Sequence, residues 1–202
     1  MITIIDYGLG NIGSIINILN YIGVKSKATS DPDEIYKSTK LILPGVGAFD
    51  AAMQKINNID GLKESLSLKV IKEKIPLMGI CLGMQLITNS SEEGDLLGFG
   101  WIDANVKKFP VSRKMKVPHM GWNNVQIIST DKITKNLSDK EKYYFVHSYY
   151  VSVKDQKYSL MKTIYSLEFD SGIFFENIYG FQFHPEKSNK YGMKLLKNFS
   201  EI

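Results

Sequence analysis

The sequence predicts an α/β fold, in which a mainly parallel sheet covered by helices on both faces precedes a strand-rich second half. Up to about residue 89, short apolar runs alternate with helical patterns, as expected for parallel strands joined by helices. From about residue 99 to 183, aromatic strand patterns are separated by Gly, Asn and Asp. No Ser-rich or Pro-rich linker interrupts the 202 residues, so we expect one domain over residues 1–202.

The first half predicts four strands, each leading into a helical segment. Ile12, Ile15 and Leu19 recur at helical spacing, and an Asp-Pro pair starts the second helix. The segment Pro44-Gly45-Val46-Gly47 is expected to break the third strand. The predicted strands cover residues 2–6, 24–29, 41–43 and 76–80, and the predicted helices cover 11–22, 31–37, 82–89 and one or two segments within 48–73.

The second half predicts five strands and a final helix. Its apolar and aromatic runs are bounded by turn-forming residues, which is typical of strands. The final helix has apolar side chains on one face, at Tyr191, Leu195, Leu196 and Phe199. The predicted strands cover residues 101–109, 122–128, 143–152, 158–165 and 173–183, and the helix covers 189–201.

Composition and charge argue against several classes of protein. The 25 basic and 21 acidic residues give a net charge of +4, but the lysines are scattered and Arg113 is the single arginine, so no nucleic-acid partner is expected. Cys81 is the single cysteine and the three histidines lack ligand spacing, so we expect no internal disulfide and no metal site. Without a signal peptide or a run of ~18 apolar residues, we expect a soluble cytoplasmic protein with no membrane partner.

A glycine-rich segment, Gly8-Leu9-Gly10-Asn11-Ile12-Gly13, matches the G-x-G-x-x-G pattern of dinucleotide-binding turns. It lies between a predicted strand and a predicted helix, and Asp31 follows about twenty residues later. The alternative interpretation is a tight strand-to-helix turn without a ligand. The strand-rich second half favours this alternative, because it offers no second set of strand–helix–strand units. We therefore expect no cofactor.

Cys81 lies between an apolar strand and a helical pattern, within Gly79-Ile80-Cys81-Leu82-Gly83. This is the cysteine version of the nucleophile elbow, in which small flanking residues allow a sharp turn and the following amides favour a thiolate and an oxyanion. The alternative is a buried structural cysteine. Glycine on both sides, at a strand-to-helix junction, favours the nucleophile.

His184 ends an alternating strand and is followed by Pro185 and Glu186. A cysteine nucleophile needs a base, and that base needs a group that orients it; a carboxylate two residues away can do so. The alternative is a surface or capping histidine. Of the other two histidines, His119 is expected to cap a loop, and His147, in an aromatic strand, is expected to be a packed residue or a wall of the site.

With GICLGMQ and GFQFHPEKS in one chain, the sequence resembles the class I (triad) glutamine amidotransferases. Five further segments resemble the glutaminase subunits of imidazole glycerol phosphate synthases: DYGLGN, LPGVGAFD, SSEEGDLLGFG, VPHMGWN and YFVHSYY. The resemblance covers essentially the whole chain. It implies a flavodoxin-like sheet and an enzyme that hydrolyses L-glutamine and passes ammonia to a synthase or cyclase subunit in a heterodimer.

The resemblance also implies a role for each matching residue. Cys81 would be the nucleophile, His184 the acid and base, and Glu186 the orienting carboxylate. The other implied positions are Gly45, Val46, Gly47 and the amide of Leu82 in the oxyanion hole; Gln85, Glu93, His147, Ser148 and Tyr149 around glutamine; and Asn11, Trp122, Tyr144 and Lys187 facing the partner. The oxyanion loop is expected to be correctly oriented only when the partner holds its ligand.

Two stretches depart from the histidine-pathway subunits, at residues 98–104 and 190–199. Both resemble a paralogous group of bacterial surface-polysaccharide pathways, in which the ammonia converts an acetamido sugar into an acetamidino sugar. Histidine synthesis and sugar amidination both remain open as the acceptor pathway. A free-standing thiol hydrolase, a nucleotide-binding module and a non-catalytic regulatory subunit are the alternatives from other classes.

Overall fold

The computed structural model describes residues 1–110 and 116–202, and its strands build one large sheet and one small sheet. The strands are β1 (Ile2–Ile5), β2 (Ser26–Thr29), β3 (Leu41–Gly45), β4 (Leu77–Cys81), β5 (Ser90–Ser91), β6 (Ala104–Lys108), β7 (His119–Asn124), β8 (Gln126–Ile127), β9 (Lys142–His147), β10 (Tyr149–Val153), β11 (Ser159–Tyr165), β12 (Leu167–Phe175) and β13 (Ile178–Phe181). The α-helices are α1 (Ile12–Tyr21), α2 (Pro32–Tyr36), α3 (Phe49–Asn58), α4 (Leu62–Ser67), α5 (Leu82–Leu86) and α6 (Asn189–Glu201), and a π-helical turn, Leu68–Lys72, continues α4.

Five parallel strands form the centre of the large sheet, in the order β2-β1-β3-β4-β13. The antiparallel strands β12, β10 and β6 extend the sheet beyond β13, while β11 pairs with β12 and β8. The small sheet consists of β7 and β9. The predicted α/β class, with a mainly parallel sheet and a strand-rich second half, is confirmed.

Helices cover both faces of the parallel strands, and each face has its own apolar core. Because alternate side chains of a strand point to opposite faces, Ile4 joins a cluster with α1 and α6, whereas Ile5 joins a cluster with α3 and α4. Leu19 and Phe199 are fully buried in the first cluster, and Phe49 is fully buried in the second. No helix in the described ranges is long and apolar enough to cross a membrane.

The predicted break of the third strand at Pro44 is wrong, because β3 continues through Pro44 to Gly45. The backbone nitrogen of Leu41 donates toward the β4 side, to Pro76. By alternation along a parallel strand, the nitrogen of Pro44 faces the β1 side. The pairing of β1 with β3 ends at Ile42, so the missing N–H of Pro44 removes no ladder hydrogen bond.

Several predicted strands of the second half are divided or shorter than expected. Residues 143–152 form β9 and β10, in different sheets, and residues 173–183 form the end of β12 and then β13, joined by a tight turn in which Glu176 has a φ of 53°. The segment 122–128 is likewise split into β7 and β8, and the strand predicted at 101 begins only at Ala104. The predicted helix 82–89 ends at Leu86.

Candidate active site

Three parallel strands bring the chemically important residues to one edge of the sheet. The ends of β3 and β4 are paired at Gly45 and Cys81, and β13 runs parallel to β4 and leads to His184 three residues after its end. Sites of α/β proteins lie at the carboxyl ends of their parallel strands. The candidate site therefore lies where this architecture places ligands.

Cys81 lies on a strained turn between β4 and α5. Its φ of 54° and ψ of −108° are unfavourable for a residue with a side chain, so the surrounding structure must hold this conformation. Glycines on both sides allow the turn to close: a Cβ on Gly79 would lie 2.7 Å from the carbonyl oxygen of Gly83, and a Cβ on Gly83 would lie 1.8 Å from that of Leu43. The turn presents the thiol to a cavity, although Cys81 is only 7% exposed.

His184 is held at both its backbone and its ring. Its Nδ1 lies 2.8 Å from Oε1 of Glu186, which is in the 3₁₀ turn Pro185–Lys187. Its backbone nitrogen donates to the carbonyl oxygen of Tyr144, and its own carbonyl accepts a hydrogen bond from Ser188. The side chains of His184 and Glu186 are 2% and 1% exposed, so water does not compete for their contact.

The charge state of His184 is set by opposing influences. Burial lowers the pKa of the imidazole, but the Cys81 thiol and the Glu186 carboxylate outweigh burial and raise this pKa to about 10. Among the described residues, Nε2 of His184 has no hydrogen bond of ordinary geometry, so its contact with the thiol is longer or less well aligned than the Nδ1 contact with Glu186. Nε2 is nevertheless the free position through which a proton can pass to or from a reactant.

The thiol and the histidine border a cavity of about 330 Å³. Most of the predicted oxyanion-hole and glutamine-binding residues line it: Val46, Gly47, Leu82, Gln85, Glu93, His147, Ser148 and Tyr149. Gly45 does not line the cavity, since it is buried in β3, where an added Cβ would lie 2.6 Å from the Tyr7 hydroxyl. Pro118 and Val146, which the sequence did not single out, complete the lining with Lys187.

Gln85 and Glu93 connect the cavity wall to the surrounding elements. Nε2 of Gln85 donates to the carbonyl oxygen of Tyr149, at 3.3 Å, and to Oε1 of Gln182, at 3.1 Å. Oε2 of Glu93 accepts a 2.8 Å hydrogen bond from the backbone nitrogen of Phe49, the first residue of α3. Each side chain therefore keeps one oxygen, Oε1, for another partner.

Three of the four residues predicted to face a partner form one surface cluster. The rings of Trp122 and Tyr144 lie 6.1 Å apart and nearly perpendicular, and Nζ of Lys187 lies 5.9 Å from the Tyr144 ring centre. Trp122 is 46% exposed, so a large apolar ring faces solvent at this surface. Because Lys187 also lines the cavity, this cluster extends to the cavity mouth. The fourth residue, Asn11, lies at the start of α1 and accepts a hydrogen bond from Ser14.

Several residues near the thiol were not identified from the sequence. Nε2 of Gln182 lies 3.8 Å from Sγ of Cys81. Ser188, fully buried, donates to His184 and accepts from the backbone nitrogen of Tyr144. The alternation of GFQFHP, which places Gln182 between two buried phenylalanines, is the one sequence signal that could have indicated a buried polar role here.

The expectation that His119 caps a loop is wrong. His119 is the first residue of β7 and is buried, and the register of the small sheet places it opposite His147. The prediction failed because this contact joins positions 28 residues apart, which no local pattern indicates. In the described part of the chain, no group of three or more His, Cys, Asp or Glu side chains is placed to hold a metal ion.

Comparison with known proteins gives a consistent result over the whole chain. The family model "Glutamine amidotransferase class-I" matches residues 3–202. Imidazole glycerol phosphate synthase subunit HisH 2 of Methanococcus maripaludis is 55% identical over 199 residues, covering 98% of each chain. The subunit HisH 2 of Pseudomonas aeruginosa is 46% identical over 202 residues, covering 100% of each.

Solved structures share the fold at low sequence identity. A crystal structure of a glutamine amidotransferase superimposes with a TM-score of 0.78 at 15% identity, covering 99% of this chain and 97% of that one. The structure of PurLQS from Thermotoga maritima gives 0.75 at 14% identity, with the same coverage. The architecture is therefore that of solved glutamine amidotransferases.

Proposed function

The chain belongs to the class I glutamine amidotransferase family, and we propose that it is the glutaminase subunit of an imidazole glycerol phosphate synthase. It hydrolyses L-glutamine to glutamate and passes the ammonia to a cyclase subunit of histidine biosynthesis. The site geometry supports the chemistry: a thiol on a strained turn, a buried histidine and a carboxylate 2.8 Å from that histidine meet at one cavity. The names of the relatives favour this pathway over sugar amidination.

In the first half-reaction, the sulfur of Cys81 attacks the side-chain amide carbon of glutamine. The carbonyl π electrons move to oxygen, where the amide of Leu82 and the amides of the loop at Val46 and Gly47 are the proposed donors; one such donor contributes about 10²–10³ in rate. The proton from the thiol is held on His184, which the raised pKa keeps protonated at neutral pH. Nε2 then gives this proton to the amide nitrogen, the C–N bond breaks, and ammonia leaves a glutamyl thioester on Cys81.

In the second half-reaction, water replaces ammonia. Neutral His184 takes a proton from the water as the water oxygen attacks the thioester carbon. The C–S bond breaks, glutamate leaves, and the proton on His184 again faces the sulfur. Glu186 keeps the imidazole in the orientation that exposes Nε2 in both steps, because its carboxylate holds the Nδ1–H.

The cavity suits a substrate of the size and charge of glutamine. Its volume of about 330 Å³ is at the lower end of small-molecule sites. Glu93 supplies a carboxylate oxygen for the substrate ammonium, and Gln85 supplies an amide oxygen, while Ser148 and Tyr149 also line the cavity. Lys187 lines the cavity and also belongs to the surface cluster with Trp122 and Tyr144; we propose that it interacts mainly with the partner.

The partner is proposed to bind where Trp122, Tyr144 and Lys187 form their surface cluster, together with Asn11. Support comes from the exposed indole and from the position of Lys187, which belongs to both the cluster and the cavity lining. A subunit that covers this face would close the mouth of the cavity and receive ammonia without its escape to water. The assembly that we propose is a heterodimer of this chain with the cyclase subunit.

Residues 1–202 are proposed to act as a single domain in the cytoplasm. β13 from the second half pairs with β4 from the first, so the nucleophile and the histidine extend from neighbouring strands of one sheet. A single cysteine that must remain a thiol fits a reducing compartment.

The test is glutamate release from glutamine by the purified chain, alone and with a cyclase subunit of imidazole glycerol phosphate synthase bound to its nucleotide substrate. We expect a rate that depends on Cys81 and rises strongly with the loaded cyclase, with Cys81→Ala as the control. Glutamate release that does not respond to the cyclase would still support a glutaminase, and it would favour the sugar-amidination partner. No release in any condition, together with failure of an electrophilic glutamine analogue to label Cys81, would refute the proposal.

A further inference from the structure

A chain of hydrogen bonds runs from the surface of the small sheet to the wall of the cavity. Nδ2 of Asn123 lies 3.2 Å from Nε2 of His119, and Nδ1 of His119 lies 2.9 Å from Nε2 of His147. Nδ1 of His147 in turn lies 2.7 Å from the carbonyl oxygen of Tyr149. Of the two histidines, only His147 lines the cavity. His119 thus contacts the site through another side chain.

The two ends of this chain fix the direction of every hydrogen bond in it. The Tyr149 carbonyl can only accept, so Nδ1 of His147 carries a proton and, in the neutral ring, Nε2 accepts from Nδ1–H of His119. At the other end, Nδ2 of Asn123 donates to the Ile164 carbonyl and its Oδ1 accepts from the backbone, which leaves Nδ2 as the donor to Nε2 of His119. Both ends require the same arrangement, with both rings neutral and protonated on Nδ1.

The surroundings of the two rings favour this neutral arrangement. His119 stacks between the rings of Phe145 and Tyr165, with centre distances of 4.6 and 3.9 Å. Burial lowers the pKa of His119 to about 4, and burial lowers that of His147 to about 3, with His119 and His184 contributing in the same direction. A second imidazolium beside protonated His184 is therefore strongly disfavoured.

The chain of hydrogen bonds ends at the carbonyl oxygen of Tyr149, a residue that lines the cavity. It accepts hydrogen bonds from His147 and from Gln85, both of which line the cavity, and it ends the segment through Ser148 that connects β9 to β10. This segment leaves the small sheet and enters the large one. Ser148 accepts a backbone hydrogen bond from Phe109, and Tyr149 is paired with Lys108, so the side chains of His147 and Gln85 act on this segment in addition to its backbone contacts.

We propose that His119 is a positioning residue for glutamine binding: by donating to His147, it keeps that ring in the Nδ1–H form and so fixes the wall formed by Ser148 and Tyr149. The proposal deepens the proposed glutaminase function and rests on it for the identity of the substrate. His119 does not touch the reacting atoms. We expect His119 to strengthen the binding of glutamine to a similar extent in the ground state and in the transition state.

The first test is the tautomeric state of the imidazoles in the wild-type protein. The chain has three histidines, so ¹⁵N-histidine labelling and proton–nitrogen correlation through two bonds give three resolvable ring patterns. At pH 7 we expect two neutral rings protonated on Nδ1, which is the less common form of free histidine, and one protonated ring from His184. A neutral ring of His119 or His147 protonated on Nε2 would overturn the proposal. This measurement needs no activity, so it can fail or succeed independently of the glutaminase assignment.

The second test compares two substitutions with opposite properties. His119→Phe keeps the aromatic stack and removes the donor, whereas His119→Asn keeps an N–H donor near the Nδ1 position and removes the stack. In the complex with the loaded cyclase, we expect His119→Phe to raise KM for glutamine about tenfold with kcat within about threefold, the loss typical of one buried hydrogen bond. We expect His119→Asn to restore KM to within about threefold of wild type.

If His119 acted through packing alone, KM would rise more in His119→Asn than in His119→Phe, because Asn lacks the ring that fills the space between Phe145 and Tyr165. An unchanged KM in His119→Phe, or a higher KM in His119→Asn than in His119→Phe, would therefore contradict the proposal. Thermal unfolding of both variants separates a loss of folded protein from a loss of affinity. If neither variant folds, the tautomer pattern of the wild-type protein still tests the proposal.

Discussion

Replacing Glu186 with glutamine should shift the alkaline limb of the pH–rate profile. The first half-reaction requires a protonated His184, whose pKa is raised to about 10, against the effect of burial, by Cys81 and Glu186. Nδ1 and Oε1 lie 2.8 Å apart, which puts the charge centres ~4 Å apart. At an effective dielectric constant of about 20, two such charges attract by about 4 kcal/mol, equivalent to about three pH units.

The direction of this shift depends on which protonation state of the His184 imidazole the Glu186 carboxylate stabilises. Glu186 stabilises the protonated imidazole, so a neutral amide allows the proton to leave at lower pH, and the alkaline limb moves down by about two to three pH units. The loss in kcat/KM relative to wild type should be modest at neutral pH and reach about a hundredfold near the wild-type limb. The assay is glutamate release by the loaded complex across the alkaline range, with circular dichroism to confirm folding at each pH.

Glu168→Gln is the matched control for this experiment. Glu168 is a half-exposed carboxylate on β12 that pairs with Lys162 and does not line the cavity. Its replacement should leave the profile unchanged. An alkaline limb in Glu186→Gln that coincides with that of the wild type would refute the assignment of Glu186 as the carboxylate that sets the charge of His184.

Three further substitutions test the turn, the loop and the partner surface. Gly83→Ala should destabilise the fold by more than about 3 kcal/mol, measured by thermal or denaturant unfolding, because the new Cβ would lie 1.8 Å from the carbonyl of Leu43. Tyr7→Phe removes the hydroxyl that donates to the Pro44 carbonyl at 2.7 Å, so kcat should fall about tenfold with little change in KM if this bond orients the oxyanion loop. Trp122→Ala should weaken cyclase binding about tenfold to a hundredfold, measured by titration of the stimulated rate.

Two of these substitutions have a control in the same chain. Gly13→Ala, in α1, meets no described atom within 4 Å and should not destabilise the fold, so equal loss in both glycine variants would contradict the close-packing argument. Leu97→Ala removes a side chain that is more exposed than Trp122 but lies outside the cluster, and it should leave cyclase affinity unchanged. For Tyr7→Phe, an unchanged kcat would show that the loop does not depend on this hydroxyl.

The sequence was most informative where a function depends on a local arrangement. Gly79, Cys81 and Gly83 are required by one tight turn, and His184 and Glu186 are neighbours along the chain, so their geometry could be inferred from spacing. The alternation of strands and helices in the first half was likewise readable, because each parallel strand is buried on both faces and each helix has one apolar face.

Features that depend on long-range pairing could not be read in the same way. The contact of His119 with His147 exists because β7 and β9 pair in one register, and no local pattern encodes that register. The break at Ser148 is also invisible locally: YFVHSYYVSV reads as one strand, but the chain changes sheets there. Pro44 was misread as a strand breaker because its effect depends on whether a neighbouring strand needs its N–H.

The assignment of Cys81 as the nucleophile is tested most directly by trapping the covalent intermediate. The complex with the loaded cyclase is incubated with glutamine, quenched in acid, digested and analysed by mass spectrometry. We predict a mass increase of one glutamyl group on the peptide that contains Cys81, and no such increase in Cys81→Ala. A glutamyl group on another residue, or glutamate release by Cys81→Ala at the wild-type rate, would contradict the assignment of Cys81 as the nucleophile.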